Sequence, residues 1–440
     1  MMIKFPKYKS TTIKWMKSLP YTWDEVSLRD IFFDSKDKNI EAHNDNMLSL
    51  IKDKGIIPYS DRGNQGNKSS DKIEKYKLVQ KEDFVINKMN AVLGSLGISK
   101  YEGLVSPVYF VLRNRAKSIY STRYYELLFQ TRPVQRYLRT MAKGIMEIRE
   151  SIDWEEFKNM KLPKPPIEDQ LLICKSLDEY DIKINEFISK KQKYIEQLKK
   201  YKQSKIYEIL TRGIYPKVKT KNCNIQWLND IPEHWVTKRM KFVADINPIK
   251  KNYLLNKFEK IVFLPMENIF ENGTYVNNAN TTVLDVDNGY TYFERGDIIL
   301  AKITPCFENM KGAYLENLSS SYGFGTTELH VLRNFKGILP KYLFFILRSE
   351  AFLKIGEINM KGSAGQQRVP DQFIKNFIVP LPPPPEQLEI LNYIEKLELN
   401  FEKLIKKSEN EITLTLQYRK SLIYEITTGY VMPLNSKQYD

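Results

Sequence analysis

The stretch "VPLPPPPEQLEILNYI", residues 379–394, decides how this chain is organised. Its run of prolines ends at Pro385, and a helical pattern of apolar residues begins at Glu386. Proline favours an extended backbone, and the residue before a proline avoids the helical region. No glycine or proline follows until Gly429, so the helix would be about 60 Å long. The stretch therefore predicts a rigid exit from a globular region into one long helix.

A similar stretch, "LPKPPIEDQLLICKSL", lies 217 residues earlier at 162–177. The far ends of the two predicted helices also match, because "YKQSKIYEILT" from Tyr201 aligns with "YRKSLIYEITT" from Tyr418. With a shift of 212, "IKWMKSLPYTW" at 13–23 aligns with "IQWLNDIPEHW" at 225–235, and the tryptophans of these motifs are expected to pack each globule against a helix end. The chain is therefore interpreted as an internal repeat in the order globule, helix, globule, helix.

Both predicted helices carry an apolar stripe whose members recur in steps of three and four residues. The stripes match position by position, which favours packing of the two helices on each other over packing on separate cores. A pseudo-two-fold arrangement would make the pair antiparallel, with one globule near each end. The predicted seam consists of Leu177, Ile184, Ile188, Ile195, Ile209, Ile394, Phe401, Ile405, Ile412 and Ile426.

The repeat predicts an α+β fold in which two globular α/β domains alternate with two long helices that form an antiparallel coiled coil. The N-terminal arm, 1–24, resembles 213–236. The predicted boundaries are 1–165 for the first globular domain, 166–212 for the central helical spacer, 213–380 for the second globular domain, 381–430 for the C-terminal helical spacer and 431–440 for a tail.

The net charge of +15 has two explanations, a composition rich in Lys, Asn and Ile or a polyanionic partner. Segments 168–210 and 386–428 carry +1 and −2, so the rest of the chain carries +16. The basic excess therefore lies on the globular regions, as expected if these contact nucleic acid and the helices contact protein. Because the two globular regions diverge in sequence, they predict a split, asymmetric DNA target.

Several classes of function lack their sequence signatures. The cysteines and histidines are scattered, which argues against a disulfide framework and a zinc site. No apolar run approaches ~20 residues and no apolar signal core begins the chain, so a cytoplasmic location is expected. Nucleotide-binding loops and the N-P-P-[YF] methyltransferase motif are absent. The E-x-K spacing at 156–158, typical of nucleases, has a repeat partner at 373–375 that lacks the acid, so no catalytic activity is predicted.

Together these features resemble the specificity subunit of type I restriction–modification systems, over nearly the whole chain. The resemblance rests on the repeat, on "LPPPPEQ" at 381–387, on "ERGDIILAKITPCFEN" at 294–309 and on "GSAGQQRVPDQFIKN" at 362–376. In the first half, "EDFVINKMNAVLGSLG" keeps only the main features of "ERGDIILAKITPCFEN".

The resemblance implies that each globular domain is a target-recognition domain for one half of a bipartite DNA site. It implies binding of two modification subunits, which carry S-adenosylmethionine and methylate adenines on both strands. Restriction subunits would add ATP-driven translocation and cleavage with ATP and magnesium. The helix pair would set the gap between the half-sites and dock the modification subunits, and no cofactor is expected in this chain.

Base reading requires paired hydrogen-bond donors and acceptors on exposed segments. The glycine-broken stretch "YSDRGNQGNKSSDK" at 59–72 fits in the first domain, and "KGSAGQQRV" at 361–369 fits in the second. The two lysines that end the matched strands "EDFVINK" and "GDIILAK" are either phosphate contacts or ion-pair partners of the aspartate in the same strand. The predicted DNA-binding residues are Arg62, Asn64, Gln65, Asn67, Lys68, Lys88, Lys302, Lys361, Ser363, Gln366, Gln367 and Arg368.

Two other functions remain open from the sequence. A stand-alone bipartite DNA-binding protein, such as a regulator, would bind two half-sites without methyltransferase partners. A coiled-coil scaffold would join proteins and show no salt-dependent DNA binding.

Overall fold

The computed structural model describes residues 4–40, 45–52, 54–63, 73–143, 151–249, 257–286, 289–363 and 365–433. Contacts divide the chain into two units: residues 1–191 with 409–440 form unit 1, and residues 192–408 form unit 2. The predicted tail, 431–440, lies outside the described residues from 434 onward.

Unit 1 consists mostly of short strands, as expected where short apolar runs alternate with turn residues. Its strands are β1 (Tyr8–Ser10), β2 (Ser18–Pro20), β3 (Asp24–Ser27), β4 (Phe32–Asp34), β5 (Leu48–Ile51), β6 (Gly55–Pro58), β7 (Lys77–Val79), β8 (Phe84–Asn87), β9 (Leu96–Ile98), β10 (Gly103–Val105), β11 (Tyr109–Asn114), β12 (Ala142–Lys143), β13 (Ser151–Ile152) and β14 (Lys161–Lys164). Its short helices are α1 (Leu28–Ile31), α2 (Thr122–Phe129), α3 (Arg132–Thr140) and α4 (Trp154–Phe157), and the long helix α5 (Ile167–Arg212) begins in it.

The centre of unit 1 is a four-stranded antiparallel sheet in the order β4-β11-β8-β9. Strand pairs β1–β2, β3–β14, β5–β6, β7–β10 and β12–β13 surround it. Aromatic rings fill the space between this sheet and helices α2 and α4. Phe84 and Phe129 meet edge to face with ring centroids 5.7 Å apart, and Phe129 meets Phe157 in the same way at 5.9 Å.

Unit 2 repeats this framework and adds strands to it. Its strands are β15 (Thr220–Asn222), β16 (Asp230–Pro232), β17 (Val236–Arg239), β18 (Ala244–Ile246), β19 (Lys260–Leu264), β20 (Thr281–Thr282), β21 (Thr291–Glu294), β22 (Ile298–Ala301), β23 (Gly312–Tyr314), β24 (Tyr322–Gly325), β25 (Leu329–Asn334) and β26 (Ile378–Leu381). Its helices are α6 (Val283–Val286), α7 (Pro340–Leu347), α8 (Glu350–Ile358), α9 (Asp371–Asn376) and the first part of the long helix α10 (Pro384–Thr427).

The main sheet of unit 2, β18-β25-β22-β23, has the same order and the same antiparallel pairing as the main sheet of unit 1. The register also corresponds: Leu112 faces Asp34 in unit 1, and Leu332 faces Ile246 in unit 2. A second sheet in unit 2, β20-β19-β24-β21, includes one parallel pair, β19–β24. The two units therefore share a framework and differ in what is attached to it.

The proline segments form strands that lead into the long helices. Strand β14 pairs with β3, and β26 pairs with β17, each along one edge. A proline has no N–H to donate, and on the other edge of the strand this interrupts no strand pairing. Helix α10 begins at Pro384, two residues earlier than predicted from the sequence. Proline fits the first turn of a helix because the N–H that it lacks would have no partner there.

A buried glutamine fixes each start of a long helix. Gln170 accepts a hydrogen bond from the Ser121 N–H and donates to the carbonyls of Ile119 and Pro165, at 2.8, 3.1 and 2.8 Å. Gln387 makes the same three bonds in unit 2, with the Leu339 N–H and with the Gly337 and Pro382 carbonyls, at 2.8, 3.0 and 2.8 Å. Since both side chains are fully buried, each one satisfies three backbone groups that water cannot reach.

Within each unit the two long helices contact each other and run antiparallel. In unit 1, Asp181 pairs with Arg419 and Lys191 pairs with Glu411, so the number falls along one helix as it rises along the other. In unit 2, Lys202 lies 3.5 Å from Glu398. Of the predicted seam, the structure buries Leu177, Ile184, Ile195, Ile209, Ile394, Phe401 and Ile426, and leaves Ile188, Ile405 and Ile412 half-buried.

The tryptophan motifs pack against the helix ends, as the sequence predicts. Trp23 and Trp235 are fully buried. The Trp23 indole donates to Asp169 in the first turn of α5, and the Trp235 indole donates to Glu386 in the first turn of α10, both at 3.1 Å. Gly213 follows the end of α5 with a φ of 77°, and a Cβ there would lie 3.2 Å from the Trp235 ring. Glycine is therefore required at this helix end.

Candidate nucleic-acid interface

In unit 2 the end of strand β22 and the loop 361–368 form one surface. Lys302 directly follows β22, and its carbonyl accepts a hydrogen bond from the Val369 N–H at 2.8 Å. Lys361 and Arg368 exchange two backbone hydrogen bonds, at 2.9 and 2.8 Å, which close the loop. The structure thus brings together two sites that the sequence predicted separately.

The side chains of this loop suit the edges of bases. Lys361, Ser363, Gln366 and Arg368 are exposed, and Gln367 is half-buried. Amide and guanidinium groups present paired donors and acceptors, whereas a lysine beside them supplies charge for a phosphate. The loop can therefore contact both the bases and the backbone of DNA.

An ion pair anchors Arg368 beside the loop. The Nε of Arg368 lies 2.9 Å from Glu328 Oε2, and its Nη2 lies 2.7 Å from Glu328 Oε1. This pairing lowers the pKa of the Glu328 carboxyl and raises the pKa of the Arg368 guanidinium. Both groups are therefore charged at neutral pH, and the guanidinium keeps a fixed orientation.

A buried histidine bonds to the backbone next to the same loop. His330, on β25, donates from Nε2 to the Val369 carbonyl at 2.8 Å, and its Nδ1 lies 3.1 Å from the Asn247 amide nitrogen. Burial lowers the pKa of His330, so the ring is neutral at pH 7. A neutral ring that accepts from Asn247 at Nδ1 carries its proton at Nε2, which suits the bond to Val369.

Unit 1 has a counterpart of this surface at β8 and at the β12–β13 pair. Lys88 directly follows β8, and its carbonyl accepts from the Ile152 N–H at 3.1 Å, as the Lys302 carbonyl does from Val369. Strands β12 and β13 pair Lys143 with Ser151, and residues 144–150 between them lie outside the described residues. The sequence carries a weak signal for this counterpart, since the dipeptide Lys-Gly at 143–144 recurs at 361–362.

The first residues of the predicted first-domain loop, 59–62, lie on another element. Arg62 ends a 3₁₀ helix, Tyr59–Arg62, that follows the β5–β6 hairpin, and its guanidinium lies 4.0 Å from the centre of the Tyr59 ring. The remaining predicted residues of this loop, Asn64, Gln65, Asn67 and Lys68, lie outside the described residues. Their contact with DNA stays a prediction.

The alternative role of Lys88 and Lys302, as ion-pair partners of the strand aspartates, is wrong. Arg113 donates to both carboxylate oxygens of Asp83, at 3.1 and 3.2 Å. Arg333 does the same to Asp297, at 2.8 and 2.7 Å. A guanidinium fork matches a carboxylate with two bonds, which a lysine ammonium cannot do. The sequence contained this signal, since "FVLRN" and "HVLRN" carry the two arginines in register.

Lys88 and Lys302 are half-buried, and neither forms an ion pair with any residue that the structure describes. Each lies at the end of a central strand of its main sheet. Their contact with phosphates stays a prediction that this position is compatible with.

The described part of the chain also bears on two other features, metal sites and membrane-spanning helices. No group of three or more His, Cys, Asp or Glu side chains in that part is placed to hold a metal ion. Within the same residues, no helix has both the length and the apolar character needed to cross a membrane.

Two regions of this chain, one in each half, match the same known family. A family model described as the type I restriction modification DNA specificity domain matches residues 20–197 and again residues 232–414. Each match contains one main sheet and one strand-end lysine. The chain belongs to this family.

Curated members of the family are similar over part or all of the chain. The EcoAI specificity subunit of Escherichia coli is 38% identical over 203 residues, which are 45% of this chain and 34% of that protein. The EcoEI specificity subunit of the same species is 36% identical over 203 residues, or 33% of its length. The chain thus spans about a third of these two relatives. The MjaVIII specificity subunit of Methanocaldococcus jannaschii is 24% identical over 446 residues, 99% of both chains.

Solved structures share the fold. A chain from a study of complex assembly and conformational transition of the type I R-M system superposes with a TM-score of 0.60 at 13% identity, over 93% of this chain and 99% of that one. The HsdS subunit of Thermoanaerobacter tengcongensis superposes with a TM-score of 0.52 at 14% identity, over 95% of this chain and 100% of its own. At these identities the likeness supports the fold.

Proposed function

We propose that this chain is the DNA sequence-specificity subunit of a type I restriction–modification complex. One observation carries the proposal: the family model matches twice, and the two matched regions hold the same order of strands in the main sheet with different sequences. A protein that reads two different half-sites needs two similar scaffolds with different reading surfaces. The specificity subunits of Escherichia coli and Methanocaldococcus jannaschii support the same role.

In this proposal the chain has two target-recognition domains, 1–165 and 213–380, and two helical spacers, 166–212 and 381–430. The spacers form one antiparallel coiled coil that sets the gap between the half-sites, and the repeat is a pseudo-two-fold duplication. Support comes from the antiparallel contacts inside each unit and from the matching sheet orders. The net charge of +15 suits a DNA-binding role.

The chain itself is proposed to be non-catalytic and cytoplasmic. Two modification subunits would dock on the helices and supply S-adenosylmethionine and methyl transfer. Restriction subunits, where present, would supply ATP, magnesium and cleavage. The exposed apolar side chains on the long helices, among them Ile182, Leu399 and Leu414, support a protein partner on that surface.

Mapping of N6-methyladenine tests this proposal. The chain is co-expressed with the modification subunit of its own system in a host without DNA methylation, and the methylated sites are sequenced. The expected result is one split, asymmetric motif methylated on both strands. Cells that express the modification subunit alone are the control and should show no such motif.

The result also separates the alternatives. A soluble complex with an active partner that methylates no split motif would contradict the proposal. Salt-dependent binding of two half-sites by the chain alone, without methylation, would then favour a stand-alone regulator. Absence of salt-dependent DNA binding would favour a scaffold.

A further inference from the structure

Arg368 is held in one orientation by Glu328, and one end of its guanidinium is left facing away from that carboxylate. Glu328 takes the edge formed by Nε and Nη2, at 2.9 and 2.7 Å. The opposite end, formed by Nη1 and the second N–H of Nη2, has one long contact, from Nη1 to the Gln366 carbonyl at 3.4 Å. The Arg368 side chain is 45% exposed, against 24% for Glu328.

From this geometry we infer that Arg368 is a specificity-determining residue that reads a guanine in the half-site of unit 2, with Glu328 as its positioning residue. The outward end of the guanidinium has two parallel donors, and the major-groove edge of guanine has two acceptors, O6 and N7. An arginine whose other edge is bonded to a carboxylate loses little rotational freedom when it binds a base. More of the binding free energy of the contact is then available to distinguish guanine from the other bases. The inference rests on the proposed DNA-specificity function.

Backbone hydrogen bonds hold the elements around the Arg368–Glu328 pair in place. Arg368 forms backbone bridges with both Lys361 and Ile303, and its neighbour Val369 is bonded to Lys302 and to buried His330. Glu328 lies directly before β25, in the middle of the main sheet, and its carbonyl accepts from the Lys302 N–H at 2.9 Å. The reading residue is thus mounted on the rigid framework of unit 2.

Unit 1 lacks this arrangement at the same register. Strand β11 aligns with β25, because Tyr109 faces Asn87 as Leu329 faces Ala301. The position of Glu328 is then taken by Val108, that of His330 by Phe110, and that of Arg368 by Ser151. The guanine-reading pair therefore belongs to one half-site only, as expected if each unit reads different bases.

The test measures methylation by the complete complex on duplexes that carry each single base-pair change in the wild-type motif. The variant Arg368→Lys keeps the positive charge and loses the planar guanidinium with its paired donors. It is expected to lose about 5- to 150-fold of discrimination at one G·C pair in one half-site, with the other half-site unchanged. The variant Glu328→Gln is expected to show a smaller loss at the same base pair.

A base analogue gives a second readout that does not depend on how a variant folds. In 7-deazaguanine the N7 acceptor is replaced by a carbon, so the wild-type complex should methylate a target with this analogue at the read position more slowly. The Arg368→Lys complex should be less sensitive to the same change, because an ammonium lacks the two parallel donors of a guanidinium. Lys354→Gln, which breaks an exposed ion pair with Glu350 on α8, is the matched surface control and should leave discrimination intact.

Three outcomes would overturn the inference. The first is an equal loss on all targets in Arg368→Lys, which would place Arg368 on a phosphate or in loop packing alone. The second is a wild-type complex that is indifferent to 7-deazaguanine at every guanine of both half-sites. The third is a motif without guanine. A wild-type complex that methylates no split motif would instead contradict the proposed function.

Discussion

Arg419 on α10 donates two hydrogen bonds to Asp181 on α5, from Nε at 2.7 Å and from Nη2 at 2.6 Å. The pair joins the two long helices inside unit 1, in a position where both side chains are partly exposed. The bidentate geometry fixes the register of one helix against the other, which a single apolar contact does not. Arg419 therefore has a structural role between the two helices.

The pair should contribute a modest, salt-sensitive coupling energy. In a double-mutant cycle with Asp181→Asn and Arg419→Gln, we expect about 0.5–1 kcal/mol, measured as the change in opening free energy of α10 amides by hydrogen exchange. The coupling should shrink in 1 M salt. The pair Lys205–Glu208, exposed on a single helix at 2.7 Å, is the control and should give less. A coupling of zero at low salt would remove the proposed role in register.

Replacing the buried glutamine of unit 2 should destabilise that unit strongly. Gln387→Ala leaves the Leu339 N–H and the Gly337 and Pro382 carbonyls without their partner in a site closed to water. We expect a loss of about 2–4 kcal/mol in urea unfolding, since each unsatisfied buried group costs about 1–3 kcal/mol. Exposed Gln372→Ala is the matched control, with an expected change within about 0.5 kcal/mol. Equal effects of the two changes would contradict this account.

The stability of unit 2 should depend on pH through His330. Burial lowers the pKa of His330 from its ordinary 6.5, so as the pH falls the unfolded chain takes up the proton first. Proton uptake by the unfolded state favours unfolding, so stability should fall as pH drops below about 6.5, until the folded-state pKa is passed. Urea midpoints measured from pH 7.5 to 5 would show this decline.

His330→Phe, which copies Phe110 of unit 1, should weaken that decline. The variant also loses the bond to the Val369 carbonyl, so at pH 7.5 it should be about 1 kcal/mol less stable than the wild type. The matching change Phe110→Leu in unit 1 serves as a control that leaves the titration in place. An unchanged pH slope in His330→Phe would assign the decline to other groups.

The proposed spacer should respond to length in a defined way. Seven residues inserted after Lys191 in α5, together with seven inserted after Ser408 in α10, would keep the heptad phase and add about 10 Å. The gap in the methylated motif should grow by about three base pairs, at roughly 3.4 Å each, with both half-sites unchanged. Insertion into α5 alone should abolish methylation because it shifts one seam against the other. An unchanged gap in the double insertion would refute the spacer role.

Much of the framework could be predicted because its signals are local. The prolines at 380–385 end an extended segment, the apolar steps of three and four define a helix, and the glycines at 213 and 429 end it. The packing of Trp23 and Trp235 also followed from the sequence, since a repeated tryptophan in an apolar motif is most stable when it is buried. The start of α10 differed by two residues, because prolines are tolerated in a first turn.

The contacts of the polar residues were harder to predict. The hydrogen bonds of Gln170 and Gln387 were not predicted, because a side-chain amide finds its backbone partners only after the strand and helix have packed. An ion pair with a lysine of the same strand was one of two interpretations for Asp83 and Asp297, and the structure pairs both aspartates with arginines on the neighbouring strand. Strand pairing chooses such partners, and strand order is not encoded within a single strand.

The sequence by itself determined that the two halves of this chain share matched segments, that each half exits through prolines into a long amphipathic helix, and that the basic charge lies outside those helices. Only the tertiary structure decided that Lys302, Glu328 and Arg368 share one surface, and that the β12–β13 pair holds the equivalent place in unit 1. The physical reason is that helix periodicity and proline geometry act over a few residues along the chain. The reading surface is made by strand ends that meet through sheet register, across dozens of residues of sequence.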